Sequence, residues 1–434
     1  MEITLVGHAS VLIEAGPVRL LSDPWYVGTA FNESWTLHPQ PEVPDDLFDG
    51  VTHLWISHEH PDHLSIPTLR SIPAERRAEM TLLYQRHWSG TVFDWVSGLG
   101  FGRAVEMRHG DEHDLGGGVR ARLFQVRHED AALAVHHDGA TVFNLNDGKP
   151  STATLRRLRQ RIGPIDVLLT QFSPAGWPGN PDDDDRLAAT SAKALAQVVR
   201  QADVLGPSYV VPFASFVRFS HEESAFMNRV INRMDRVRDA LGPERTAAMS
   251  SGERLRVGDT PAGSDAAVER YITAVDAIAD LPLTSHEPVP FDDVVDAAQG
   301  HVENLRRDYH ATLLRRLGPV TFDLTDLGRS LTLDIGAGAV AEGSPEQAPG
   351  RINTSSQAAW YTFAHRWGVP TLLISGRFRL PDGDRVFRRY KELGSAWSGG
   401  FHTHGLLGAL ASPRGRDLVT RRWRDLRDLV PGGS

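Results

Sequence analysis

Cysteine is missing altogether from the 434 residues. That rules out a disulfide framework. It also rules out an iron–sulfur cluster held by thiolates, and a Rieske centre, which needs two of them. Any metal bound here is therefore held by nitrogen and oxygen. No apolar run approaches the roughly 20 residues of a membrane span. Positive charge is not in excess either: 46 Lys and Arg face 55 Asp and Glu, for a net charge of −9. That leaves no basic footprint for nucleic acid. The basic stretch near the C-terminus, RGRDLVTRRWRDLRDLV, alternates charge with Leu, Val and Trp and reads as an amphipathic helix with a solvated face. Neither G-x-G-x-x-G nor a P-loop occurs, so no nucleotide cofactor is indicated. The opening MEITLVGHASVLIEAG has no basic n-region and no small-residue cleavage site. These absences together lead us to expect a soluble, cytoplasmic protein.

What is present is an ordinary globular balance, 41% hydrophobic and 23% charged, long enough for two domains. The first 150 residues read as β-rich, with MEITLVG, SVLIEAG and VRLLSDPW as successive strands between glycine turns. THLWIS is a short apolar run of the buried-strand type. ARLFQVRH, ALAVHH and ATVFNLND are further strands, with Asp138-Gly139 as a hairpin turn, and IDVLLTQFS and SYVVPFASF follow. LAATSAKALAQVVRQADVL and ESAFMNRVINRMDRVRDAL have helical periodicity, and SSGERLRVGDTPAG reads as turns. Residues 262–310 are helical around EPVPFDD, and the last third is mixed, with VTFDLTD and LTLDIGAG as paired strands. We place the expected domain boundary near residue 260, giving domains 1–260 and 261–434.

One stretch carries the chemistry. ISHEHPDHLSIPTL puts His58, Glu59, His60, Asp62 and His63 directly after a buried strand. A loop there can turn alternate side chains to one point, so His58 and His60 can reach one metal ion while Asp62 and His63 face a second or orient the first. Neutral imidazole is the commonest metal ligand, and carboxylate suits Zn, Fe or Mn. Without a cation these groups would repel or desolvate one another, which is why the plain reading, a polar surface loop capped by Asp62, fits poorly. Downstream, His128 ends one strand and Asp147 another. Alone each would read as a cap or a turn; after H-x-H-x-D-H each becomes a candidate ligand, and Asp147 can bridge two metals. His221 is a further candidate for metal or substrate, although VRFSHE also reads as a helix N-cap region. Asp23 is expected to hold a ligand histidine. His8 either points at the site or fills the core. His402 and His404 could line the same pocket but read more simply as unrelated to it, and Trp25, Trp35 and Trp177 read as core or as pocket walls.

The order of H-x-H-x-D-H, then His, then Asp resembles the metallo-β-lactamase fold superfamily. The openings VGHASVLIEAG and LLSDPW are similar to its lactonase-like branch. The resemblance implies an α/β fold, an αββα sandwich with the metal site at one edge of its two sheets, here with an additional C-terminal α+β region. SDPWYVGTAFNESWTLHPQP, ISHEHPDHLSIPTL, RHEDAALAVHHDGATVFNLND and VVPFASFVRFSHEESAFMN resemble, in order, segments of the CMP-N-acetylneuraminate hydroxylases, over about residues 1–260. Carried over, His58, His60, Asp62, His63, His128 and Asp147 match the superfamily's ligand positions, and His221 matches a histidine of the hydroxylase-like segment. Those enzymes carry a Rieske domain, which a cysteine-free sequence cannot supply.

Two activities follow as expectations. The first is an iron-dependent oxygenase that hydroxylates or N-oxidises a small molecule, holding one or two irons and fed by an external Rieske or ferredoxin protein. The second is a zinc or manganese hydrolase of a lactone, ester or phosphoester, in which the metal generates hydroxide near neutral pH. Asp62, Asp147 and His221 are the expected catalytic residues. A purely structural metal fits a cysteine-free donor set poorly.

Overall fold

The computed structural model describes the chain except residues 128–129, 344–349, 382, 384, 405, 418 and 421–434. Most of GSPEQAPGR and the far end of the basic C-terminal stretch thus fall outside the described residues.

Alternation along the early strands decides the architecture. In His53–Ile56 and Thr81–Gln85, Trp55 and Leu83 face one core while Leu54, Ile56, Leu82 and Tyr84 face another. Successive side chains of a strand point to opposite faces, so apolar residues at every position need both faces covered. The resulting sheet has seven strands, in the order Arg254–Arg256, Glu2–Leu5, Val11–Ala15, Val18–Ser22, His53–Ile56, Thr81–Gln85 and Arg103–Met107. A second sheet of six strands runs Tyr209–Phe213, Val167–Gln171, Ala140–Asn146, Asp130–His137, Val119–Arg127 and Glu112–Gly116. Ile13, Leu20 and Trp55 of the first sheet share one core with Leu123, Leu133 and Phe143 of the second. The helices Thr152–Ile162 and Asp184–Leu205 join that core through Leu155, Leu158, Val198 and Ala202. Ile66–Ser71 and Thr91–Ser97 cover the other face of the first sheet through Leu69 and Val96. The layers are therefore αββα, as expected.

Local signals hold in several places. Ser65 caps Ile66–Ser71, its side chain accepting from Thr68 N, with Pro67 in the first turn. Asp138 and Gly139 both take positive φ, the requirement of the expected hairpin turn. Two readings change. The stretch ESAFMNRVINRMDRVRDAL is not one helix but a 3₁₀ segment, Ala225–Val230, and a separate helix, Met234–Leu241. Asn232, buried at the break, donates to the carbonyls of Phe172 and Ser191, so its side chain competes with the helical ladder. SSGERLRVGDTPAG is not only turns, since Arg254–Arg256 pairs with Glu2–Thr4 as an edge strand.

A second core, from Phe291 to Trp397, lies between the helices Phe291–Asp308 and Ser356–Ala364 and a five-stranded sheet that includes Val320–Leu324 paired antiparallel with Arg329–Asp334. The helix Ser264–Asp276 buries Ala267, Val268 and Tyr271 in the first core. We therefore propose that the domain division falls between Asp280 and Phe291 rather than at 260.

Candidate metal centre

Three strands deliver the site from their carboxyl ends. Asp23 follows Val18–Ser22, the histidine loop follows His53–Ile56, and Asp147 follows Ala140–Asn146. Because Val18–Ser22 and His53–Ile56 are parallel neighbours, Asp23 sits beside Ser57. Asp23 Oδ1 accepts from Ser57 N at 2.7 Å, and Oδ2 accepts from Ser57 Oγ at 2.7 Å. Oδ2 also accepts from His63 Nδ1 at 3.0 Å and from the Asn146 amide.

This network selects histidine tautomers. Ser57 Oγ spends its proton on Asp23, so at 3.0 Å from His58 Nδ1 it accepts. His58 and His63 both then carry hydrogen on Nδ1, and each Nε2 is left for the site. His58 Nε2 lies 2.8 Å from His60 Nδ1. Asp147 Oδ2 lies 3.7 Å from His58 Nε2 and 3.9 Å from His63 Nε2. Asp62 Oδ2 lies 3.4 Å from His63 Nε2 and 3.3 Å from His8 Nε2. Two sets of donor atoms are thus close enough to share an ion: His58, His63 and Asp147, and His8, Asp62 and His63.

The electrostatics are those of an uncompensated cluster. Burial drives the His58 pKa well below its ordinary value. Burial acts the same way on His63, but Asp62, Asp147 and Asp23 overcome it and lift that imidazole well above its usual range. Burial would raise Asp62, yet His63 and His8 hold it well below the normal carboxylate range. Asp147 is lowered too, against burial, by His58 and His63. Asp62 Oδ1, Asp147 Oδ1 and His63 Nε2 are buried without a hydrogen-bond partner among the described residues. Buried polar atoms left unpaired are costly. Carboxylates and imidazole nitrogens converging on one space, with no thiolate, fit one or two divalent cations.

Not every expected residue is brought here. His128 lies outside the described residues. His221 belongs to neither donor set. Its Nδ1 accepts from Glu223 N at 3.2 Å, and its Nε2 lies 2.8 Å from His286 Nδ1 in a stacked pair. His221 follows Val217–Phe219, which pairs with Trp35–Leu37 apart from the two large sheets, and this carries it to Glu223 and Arg377. Burial pushes its pKa down to about 3. His402 and His404 are also elsewhere, against Asp308 and His310. Trp25 and Trp35 are core residues whose rings flank His8, and Trp177 packs on Phe378. Sequence reasoning passed over Ser57 and Asn146. Each directly precedes a candidate ligand, and a hydroxyl or amide there is the available signal. His286 carried none.

Residues 11–213 match the family model described as a beta-lactamase superfamily domain. This stretch is a beta-lactamase superfamily domain. A Mycobacterium tuberculosis protein provisionally named a Rieske 2Fe-2S iron-sulfur protein is 30% identical over 187 residues, covering 41% of this chain and 35% of that protein. The mouse cytidine monophosphate-N-acetylneuraminic acid hydroxylase is 35% identical over 255 residues, 54% of this chain and 42% of the mouse protein. Its human counterpart, named inactive, is 37% identical over 258 residues, 54% of this chain and 49% of that protein. The chain thus spans between a third and a half of the length of these relatives. Among solved structures, CmlA, a diiron beta-hydroxylase from Streptomyces venezuelae, superposes on 59% of this chain and 54% of its own, with 17% identity and a TM-score of 0.41. The matched residues include the whole second sheet, the first sheet except Glu2–Leu5 and Arg254–Arg256, and every residue of the histidine loop.

Proposed function

We propose that this chain is a metal-dependent oxygenase acting on a small molecule. In this reading His58, His60, Asp62, His63 and Asp147 hold one or two ions, iron in preference to zinc or manganese, and His128 completes the set. The observation that carries it is the 35% identity, over 255 residues, to a protein named a hydroxylase. The all-nitrogen and oxygen donor set agrees with it, because such sites suit iron with positions left open for dioxygen. A separate Rieske or ferredoxin protein would deliver the electrons, since a chain without cysteine cannot hold the cluster itself.

The chain's own residues have distinct tasks in this account. Asp23 and Ser57 fix the tautomers of His63 and His58, so that the Nε2 lone pairs face the site. Asp147 lies between the two histidines and would bridge two ions. Asp62 and Asp147 carry the catalytic assignment. His221, engaged with His286, keeps only a substrate-side role. Trp25 and Trp35 flank His8 on the edge of the site.

Metal analysis of protein purified without added metal, paired with oxygen consumption in the presence of a ferredoxin and its reductase, tests the proposal. Iron occupancy with reductant-dependent oxygen uptake is the expected result. Zinc occupancy without oxygen uptake would sink it and leave the hydrolase reading, in which the same ligands would activate water.

A further inference from the structure

We infer that His8, not His221, supplies the remaining imidazole of the second metal position, alongside Asp62 and His63. This assignment rests on the metal-centre reading above and goes beyond it by naming a ligand from outside the H-x-H-x-D-H loop. His8 sits in the turn between the first two strands, Glu2–Leu5 and Val11–Ala15. Its ring is almost fully buried and is flanked edge-on by Trp25 at 5.7 Å and Trp35 at 6.5 Å. Its backbone carbonyl is tied to Ala214 N at 2.8 Å, which anchors the turn to the second sheet.

The distances discriminate between a ligand and a mere hydrogen-bond partner. A charge-assisted imidazole–carboxylate hydrogen bond spans about 2.7–2.9 Å. Two donor atoms each about 2.1 Å from a common tetrahedral ion lie roughly 3.4 Å apart. Asp62 Oδ2 is 3.3 Å from His8 Nε2 and 3.4 Å from His63 Nε2. Both separations match the edge of a coordination tetrahedron and are long for the hydrogen bond. His8 Nδ1 has no hydrogen-bond partner among the described residues, so the only polar contact of the ring there runs through Nε2 to Asp62. Asp62 Oδ1 and His63 Nε2 are buried beside it and have no hydrogen-bond partner among the described residues. His221 is held 2.8 Å from His286 instead.

The test strips the purified full chain of metal, equilibrates it with Zn(II) alone, and counts zinc per chain by elemental analysis, with circular dichroism to check folding. The wild type and His221→Ala are expected to hold two equivalents; His8→Ala and His8→Gln are expected to hold one. Glutamine retains an N–H that can orient Asp62 but does not replace the imidazole as a ligand. Two equivalents in His8→Gln would reduce His8 to a positioning residue and overturn the inference, as would a drop to one in His221→Ala with none in His8→Gln. A wild type that binds a single equivalent also overturns it, and one that binds none overturns the metal-centre reading itself.

Discussion

Asp23 accepts a hydrogen bond from His63 Nδ1 at 3.0 Å, from a position forty residues earlier in the chain. The carboxylate is fully buried and belongs to neither donor set, yet the orientation of two candidate ligands passes through it. Asp23→Asn should therefore lower metal affinity about 10- to 100-fold while leaving the donor atoms in place. Competition with a chromophoric chelator measures this. Unchanged affinity would remove Asp23 from the account.

Metal uptake should release protons. In the metal-free chain the neighbouring carboxylates hold the His63 pKa well above its ordinary value, which favours the protonated imidazole. Its contribution to the metal-free fold is full below the unfolded histidine value of about 6.5 and is lost as pH rises through the elevated folded value. A cation must displace that proton, so affinity should fall as pH is lowered. Calorimetric titrations with Zn(II) in buffers of different ionisation enthalpy would report about one proton more released by the wild type than by His63→Ala. Equal release would contradict the assignment.

His301 is buried against Phe363, Tyr390 and Trp397 in the second core, and burial lowers its pKa to about 4. Between about pH 6.5 and 4 the unfolded chain binds this proton and the folded chain does not, so stability falls as pH falls through that window. The loss across the whole window comes to roughly 3 kcal/mol, since each pH step between the unfolded and folded values costs about 1.36 kcal/mol. Denaturant midpoints measured from pH 7 to 4 should fall less steeply in His301→Leu than in the wild type, and parallel slopes would refute the point.

The histidine loop and most strands were legible because each depends on local pattern: alternation, a buried apolar run, a strand-end polar cluster. The break at Asn232 was not, because its partners at Phe172 and Ser191 are far off in sequence. The same limit explains His221. Its local context matched a ligand, but the short Val217–Phe219 pairing with Trp35–Leu37 carried it to Glu223 and His286. His8 stayed ambiguous because only the fold brings it within 3.3 Å of Asp62.

Arg377 is buried, and its guanidinium bonds Glu223 of the first part of the chain and the carbonyl of Asn32, whose side chain pairs with Gln357. Glu223→Ala would remove the carboxylate bonded directly to this charge, leaving only the more distant Glu33 and Glu222. A fully buried pair costs about 3–5 kcal/mol when broken. Glu223 retains some solvent contact, so we expect about 2–3 kcal/mol. Chemical denaturation checks this, and a change below about 0.5 kcal/mol would show that the pair contributes little.

The central claim is that the strand-end cluster is a metal centre, and elemental analysis of the protein as isolated tests it most directly, comparing the wild type with His58→Ala and Asp147→Ala. The account predicts one to two equivalents of metal, chiefly iron, in the wild type and loss of most of it in both variants, with circular dichroism unchanged. A wild type without metal, or variants that keep their full complement, would contradict it.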